Sequence, residues 1–333
     1  TASANSIMIA SGANLSLSSG FTLSTNRGIG LLGGNGTIST ASGTSSSYSG
    51  IITGTGNLVK TGTGNLTLSG LNTYTGSTFV DAGTLIVTNG AGSGPLRANV
   101  SIASSANLTL TGIDALGYNA GAKVTNISIG IGGILNSTAA GNQGWANAYT
   151  LTGATLRSNS GTSNASATSL LVFGGNTSVT TLAYLTPSTI AGRILLREGN
   201  TGNAVVFNVA SYSAASTDLI ISANITQSTS GFGITKQGAG NLVLTAVNSY
   251  SGNTTITAGN LSVTNISGLG TSLVNVSGGS LNAYSNITNN VTISSTGIYN
   301  VLTSNVASNV VFSSGVTGNL TLGSGASNFL GNI

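Results

Sequence analysis

Neither cysteine nor histidine occurs among the 333 residues. The first absence excludes disulfide staples and thiolate metal sites. The second removes the commonest general base and a frequent metal ligand. Only four acids are present, Asp81, Asp114, Glu198 and Asp218, so any carboxylate pair flanking a glycosidic bond would have to come from these. Charged residues make up 4% of the chain, against roughly 25% in ordinary globular proteins. No apolar run approaches the ~20 residues of a spanning helix, so no transmembrane segment is expected in this chain. Sustained helical periodicity is absent too. The two prolines, Pro95 and Pro187, fall outside the strand-like runs, as required where every inner strand must donate to its neighbours. The basic residues Arg27, Lys60, Arg97, Lys123, Arg157, Arg193, Arg197 and Lys236 are scattered, with a net charge of +4. They form no stripe for a polyanion, and nucleic acid is not an expected partner.

What remains is a language of Thr, Ser, Asn and Gly wrapped around alternating apolar residues. Hydrophobic residues amount to 39%, too many and too regularly placed for a disordered chain. Leu66 and Leu68 flank Thr67, Leu85 and Val87 flank Ile86, and Leu242 and Leu244 flank Val243. Period-2 runs of four or five residues between Gly and Asn punctuation read as short strands with one buried face. The stretch Gly54–Val87 returns as Gly231–Val263, and from Lys60/Lys236 to Val87/Val263 the copies align at a fixed offset without a gap. Fourteen of 28 positions are identical, among them Lys60/Lys236, Asn72/Asn248, Tyr74/Tyr250, Gly76/Gly252 and Ala82-Gly83/Ala258-Gly259. The Gly-x-Leu-x-apolar phrase of Leu242 recurs at Leu261, Leu281, Ile298 and Leu320, at a near-constant step. Hairpins would recur every 8–12 residues or so, roughly half that step. A step of about twenty residues suits one coil of three short strands and three corners. The fold expected is all-β: one continuous parallel β-helix over residues 1–333, with a less regular middle at 111–230. Between coils, small polar side chains are expected to form hydrogen-bonded ladders.

The phrases Gly56-Asn-Leu-Val-Lys-Thr-Gly-Thr-Gly-Asn-Leu-Thr-Leu-Ser-Gly70, Asn72-Thr-Tyr-Thr-Gly76 and Ala82-Gly-Thr-Leu-Ile-Val87 resemble the autotransporter-associated β-strand repeat of bacterial passenger domains and large surface proteins. Together with Arg27-Gly-Ile-Gly30, Gly36-Thr-Ile-Ser-Thr40 and Tyr48-Ser-Gly-Ile-Ile-Thr-Gly54, the likeness covers about a third of the chain. The resemblance implies a right-handed parallel β-helix located extracellularly or on the bacterial cell surface. It implies no catalytic residues.

Candidate residues follow from that frame. Asn72, Tyr74 and Gly76, with Asn248, Tyr250 and Gly252, read as structural corners: Asn bonding backbone amides, Gly making the turn, Tyr covering an exposed coil end. Trp145, with Tyr149 nearby, lies in an irregular stretch and is the candidate glycan contact, which makes surface glycans a candidate class of partner. Ile7 and Ile9 near one end, and Phe329 and Leu330 near the other, lie in segments poor in charge and proline. Association of copies end to end through terminal strand edges is therefore expected. No catalytic residue, metal or cofactor is expected. The function read from this is a non-catalytic structural β-helix, the subunit of a fibre or the stalk of an adhesin. Two alternatives use the same fold. One is a glycan-binding adhesin using Trp145. The other is a polysaccharide lyase or hydrolase built on Arg193, Arg197, Glu198 or Asp218, in which a guanidinium would hold an acidic sugar.

Overall fold

The computed structural model describes residues 6–90, 94–119, 123–143, 146–158, 170–175, 177–197, 203–213, 217–303, 305–306, 309–323 and 328–329. Every regular element among them is a β-strand of two to six residues, and the strand pairings are parallel. The chain divides into two compact units, residues 1–150 with 154–172, and 151–153 with 173–333.

In the first unit, one sheet stacks Asn14–Leu17, Asn35–Thr40, Asn57–Thr61, Thr78–Val80, Ala98–Ile102 and Val124–Ile129. A second sheet stacks Ser45–Tyr48, Asn65–Leu68, Thr84–Val87, Asn107–Leu110 and Ile134–Ser137. Each strand pairs with the equivalent strand of the next coil. Thus Leu66, Leu85, Leu108, Leu135 and Leu156 lie in one column, one leucine per coil. The second unit repeats the plan: Leu219, Leu242, Leu261, Leu281, Tyr299 and Leu320 are in register. This is a β-solenoid, consistent with a right-handed parallel β-helix.

The cause is the alternation. In Asn65–Leu68 and Asn107–Leu110 the Asn and Thr are half-buried and the two leucines buried. Each buried Leu or Val adds about 1.5–3 kcal/mol relative to exposure, and a one-residue slip would turn the whole inner set outward. Between coils, Asn57 Nδ2 donates to Asn35 Oδ1 (2.8 Å), Asn126 Nδ2 to Asn99 Oδ1 (2.9 Å) and Asn300 Nδ2 to Asn282 Oδ1 (2.7 Å). These are the polar ladders expected of a neutral exterior.

Three details differ from the sequence reading. The equivalent of Leu281 is Tyr299, not Ile298: Tyr299 and Val301 are fully buried while Ile298 is half-buried. Tyrosine therefore takes an inner position that the phrase had assigned to its neighbour. The three-strand coil holds only in places. A third face is built by Ile7–Ala10, Ile29–Leu32 and Ile52–Gly54 in the first unit, and includes Arg193–Arg197 paired with Asn224–Gln227 in the second. In both repeats the third side is irregular, joined by side chains together with backbone bonds such as Thr73 N to Ile52 O (2.8 Å) and Ser249 N to Ile225 O (2.9 Å). Finally, coils in the middle are longer than those of the repeats. Val179, Phe207 and Lys236 are successive partners, each step wider in sequence than that from Leu66 to Leu85. That widening is why no period shows there.

Candidate functional site: buried clamps of the two repeats

Leu58 and Lys60 share one parity of the strand Asn57–Thr61, and that parity points inward. Lys60 stands in the column Ile38, Lys60, Val80, Ile102. Lys236 stands likewise in the column Phe207, Lys236, Ile256, Val276. Both lysines are fully buried. An ammonium has three donors and no acceptor, and all three are used. Lys60 Nζ donates to the carbonyls of Thr61 (2.9 Å), Gly62 (2.8 Å) and Ala82 (3.0 Å). Lys236 Nζ donates to those of Gln237 (2.8 Å), Gly238 (2.8 Å) and Ala258 (3.0 Å). Two acceptors lie in the lysine's own corner and the third in the corner of the following coil. Each lysine thus ties consecutive coils together.

The asparagines do the same on the third side. Asn72 Oδ1 accepts from the Ile52 amide of the preceding coil at 2.9 Å, and its Nδ2 donates to Pro95 O of the following coil at 3.2 Å. Asn248 Oδ1 accepts from Ile225 N at 2.8 Å and its Nδ2 donates to Gly268 O at 2.6 Å. Where the third-face strands stop, at Ile52–Gly54 and Asn224–Gln227, backbone amides of the next coil still bond the Ile52 and Ile225 carbonyls, and the side-chain amide satisfies the matching N–H. In the first repeat Arg97 adds Nε and Nη2 donations to the Asn72 carbonyl at 3.2 and 2.8 Å.

Tyr74 and Tyr250 are fully buried. They do not cover an exposed coil end. Tyr74 bonds the buried hydroxyl of Thr78, and Tyr250 that of Thr254 at 2.6 Å, so each phenol tip is satisfied inside an apolar surround. Gly76 and Gly252 let backbones meet. A Cβ at Gly76 would lie 2.3 Å from Gly56 O, and one at Gly252 2.3 Å from the Phe232 carbonyl carbon.

These groups titrate in opposite senses. Burial lowers Lys60 and Lys236 from 10.5 to about 8, with Asp218 opposing part of the shift at Lys236. Burial pushes the phenols of Tyr74 and Tyr149 up to about 12, and that of Tyr250 up as well, their hydrogen bonds opposing. Between about pH 8 and 10.5 the unfolded chain holds lysine protons that the native chain has released, so stability rises with pH. Above about pH 10 the unfolded tyrosines ionise while the native ones do not, so stability falls. Urea midpoints from pH 7 to 12 are expected to peak near about pH 10, and the rising limb to vanish in a Lys60→Met, Lys236→Met double variant. A steady decline from pH 7 would refute this account.

The remaining sequence candidates are dispersed. Tyr149 is 2% exposed, and its hydroxyl accepts from Ala146 N at 3.4 Å. The expected stacking face is therefore turned inward. Trp145, Glu198 and Leu330 lie outside the described residues. Ile9 is buried and Ile7 half-buried, paired with Leu31 and Ile29. Phe329 belongs to the short strand Asn328–Phe329, paired with Asn305–Val306. Arg193 and Arg197 occupy the third-face strand Arg193–Arg197 and are half-buried. Asp218 accepts the amides of Tyr212 and Asn241, each at 2.8 Å, which is a corner-holding role. Asp81 is exposed just past the strand Thr78–Val80. Among the described residues no three His, Cys, Asp or Glu side chains gather where a metal would bind, and no helix is long and apolar enough to cross a membrane.

The burial of the lysines escaped the sequence reading, which noted them as identical repeat positions and as part of a scattered set of basic residues. Their signal was parity: each lies two residues after an inward Leu58 or Ile234, at a position identical in both copies.

Residues 58–87 and 234–263 match the model of the passenger-associated-transport-repeat family. The two stretches that carry the clamps are thus the two that resemble that repeat, in line with the autotransporter-associated resemblance. No curated protein and no solved structure matches the chain.

Proposed function

We infer that this chain is a non-catalytic, load-carrying segment of a passenger protein displayed on, or released from, a bacterial surface, working as a stalk or fibre subunit. The observation that supports this reading is where the repeat spends its identical residues. Lys60/Lys236, Asn72/Asn248 and Tyr74/Tyr250 are turned inward and bonded to backbone or to Thr78/Thr254. A module whose shared side chains join coil to coil suits mechanical continuity, and a solenoid carries such bonds along its whole axis. Copies add to one another through terminal strands, the general hazard of an open sheet edge turned to use.

Two measurements test this. Antibody raised against the purified chain is expected to label intact, unpermeabilised producing cells or their medium; labelling only after permeabilisation would overturn the location. Negative-stain images at rising concentration are expected to show end-to-end polymers, and a monomer at every concentration would remove the fibre role. Turnover of an acidic polysaccharide that is lost in Arg197→Ala would replace the whole reading with an enzymatic one.

A further inference from the structure

We propose that the outer face of the first sheet, in the first unit, is a binding groove for a neutral saccharide, with Phe79 as its stacking platform. Phe79 lies between the buried Thr78 and Val80 and so points outward, half-exposed. It stands in register with Val59 on one side and Ser101 on the other, followed by Ser128. Phe79, Ser101 and Ser128 line a groove of about 340 Å³ together with Asn99, Asn126 and Thr150, within the usual size range of small-ligand sites.

The chemistry of the lining selects the ligand. One flat aromatic face suits the apolar C–H face of a pyranose ring, whose slightly positive hydrogens meet the negative ring face. Around it stand two amides and several hydroxyls, which exchange hydrogen bonds with sugar hydroxyls. No lining residue is ionisable, so a charged ligand would lose water here without meeting a countercharge.

A local irregularity supports the assignment. The register shifts between Ala98 and Asn99, so that Ala98 faces Val124 while Asn99 faces Asn126. This bulge brings two amides side by side. Asn99 Oδ1 accepts from Asn126 Nδ2 at 2.9 Å and from Thr125 Oγ1 at 2.8 Å. Among the described residues, Asn99 Nδ2 and Asn126 Oδ1 then have no protein partner, and both residues are exposed. The arrangement is held at the expense of a left-handed backbone at Ala98, φ 47°. Bulges and left-handed non-glycine residues both concentrate at functional sites. The second repeat serves as an internal control. The positions of Val59 and Phe79 are taken there by Thr235 and Thr255, which line a more polar hollow of about 250 Å³. The aromatic floor is thus particular to the first repeat and is no requirement of the coil. The proposal does not depend on the passenger reading.

The test uses the whole chain and four tetrasaccharide probes: cellotetraose, maltotetraose, chitotetraose in its N-acetylated form, and tetragalacturonate. Saturation-transfer NMR is expected to show ring C–H contact for at least one neutral probe and none for the acidic one, with calorimetry giving the affinity. Phe79→Ala should weaken that binding about tenfold, Asn99→Ala should weaken it less, and Thr255→Ala should leave it unchanged. Should Phe79→Ala fail to fold, Phe79→Trp, which enlarges the platform, is expected to tighten binding. No binding of any neutral probe, binding indifferent to Phe79 and Asn99, or a preference for tetragalacturonate would each overturn the proposal.

Discussion

Truncating Lys60 to alanine is expected to cost about 4 kcal/mol in urea unfolding at pH 7. The ammonium leaves three carbonyl acceptors, on Thr61, Gly62 and Ala82, in a fully buried place. Each orphaned carbonyl costs about 1–3 kcal/mol. Loss of the charge's own desolvation penalty offsets part of this. Truncation of the buried stem adds to it through the space left behind. Lys60→Met separates the two contributions: it keeps the stem and removes the donors, and should cost about 3 kcal/mol. Lys236 makes the same three bonds and should behave alike. If Lys60→Met proved neutral, the lysine would be a tolerated passenger in an apolar column and the clamp would have no energetic content.

The second large effect is expected at Gly83. Its φ is +66°, and a Cβ would lie 2.5 Å from Gly64 O and 2.6 Å from Gly62 O. Gly259 repeats this, with φ +63° and a Cβ 2.4 Å from Gly238 O and 2.5 Å from Gly240 O. Alanine there meets two separate penalties. The left-handed backbone costs a non-glycine residue about 1–2 kcal/mol, and forcing backbone carbonyls aside adds about 1–3 kcal/mol. Gly12 separates them, having φ +77° with nothing within 4 Å of its would-be Cβ. Gly83→Ala is expected to cost about 3–4 kcal/mol and Gly12→Ala about 1–2 kcal/mol. Equal costs at the two sites would show that the neighbouring coil yields freely. The Lys60 and Gly83 effects belong together, since Ala82 O, a lysine acceptor, belongs to the residue just before that glycine. The pairing of Lys with Ala-Gly in both copies is one corner seen twice.

How much of this was legible follows from the physics of each residue. The alternation of Leu66, Leu68, Leu85 and Val87 specifies inner and outer faces, because parity along a strand is strict. Parallel pairing and the coil step came from the spacing of those phrases. Tyr299 was missed because its polar tip disguises a ring able to occupy an inner position beside Val301. Lys60 was missed for the same reason in sharper form: charge reads as surface, and only parity argued otherwise. Asn72 was read as a corner residue, but its reach to Ile52 and Pro95 in two different coils depends on which coils are neighbours, something local sequence does not state. Phe79 carried no signal in one copy alone. Its meaning arises from contrast with Thr255 and from the bulge beside Asn99.

The register pairs carry one last consequence. Partners along both sheets lie a single coil apart in the chain, as do Leu66 and Leu85 or Phe207 and Lys236. In most all-β proteins distant segments must meet before anything is gained, and assembly is slow. Here a strand needs only the coil made just before it. A growing chain can thus settle coil by coil, each new turn templated by the one before it.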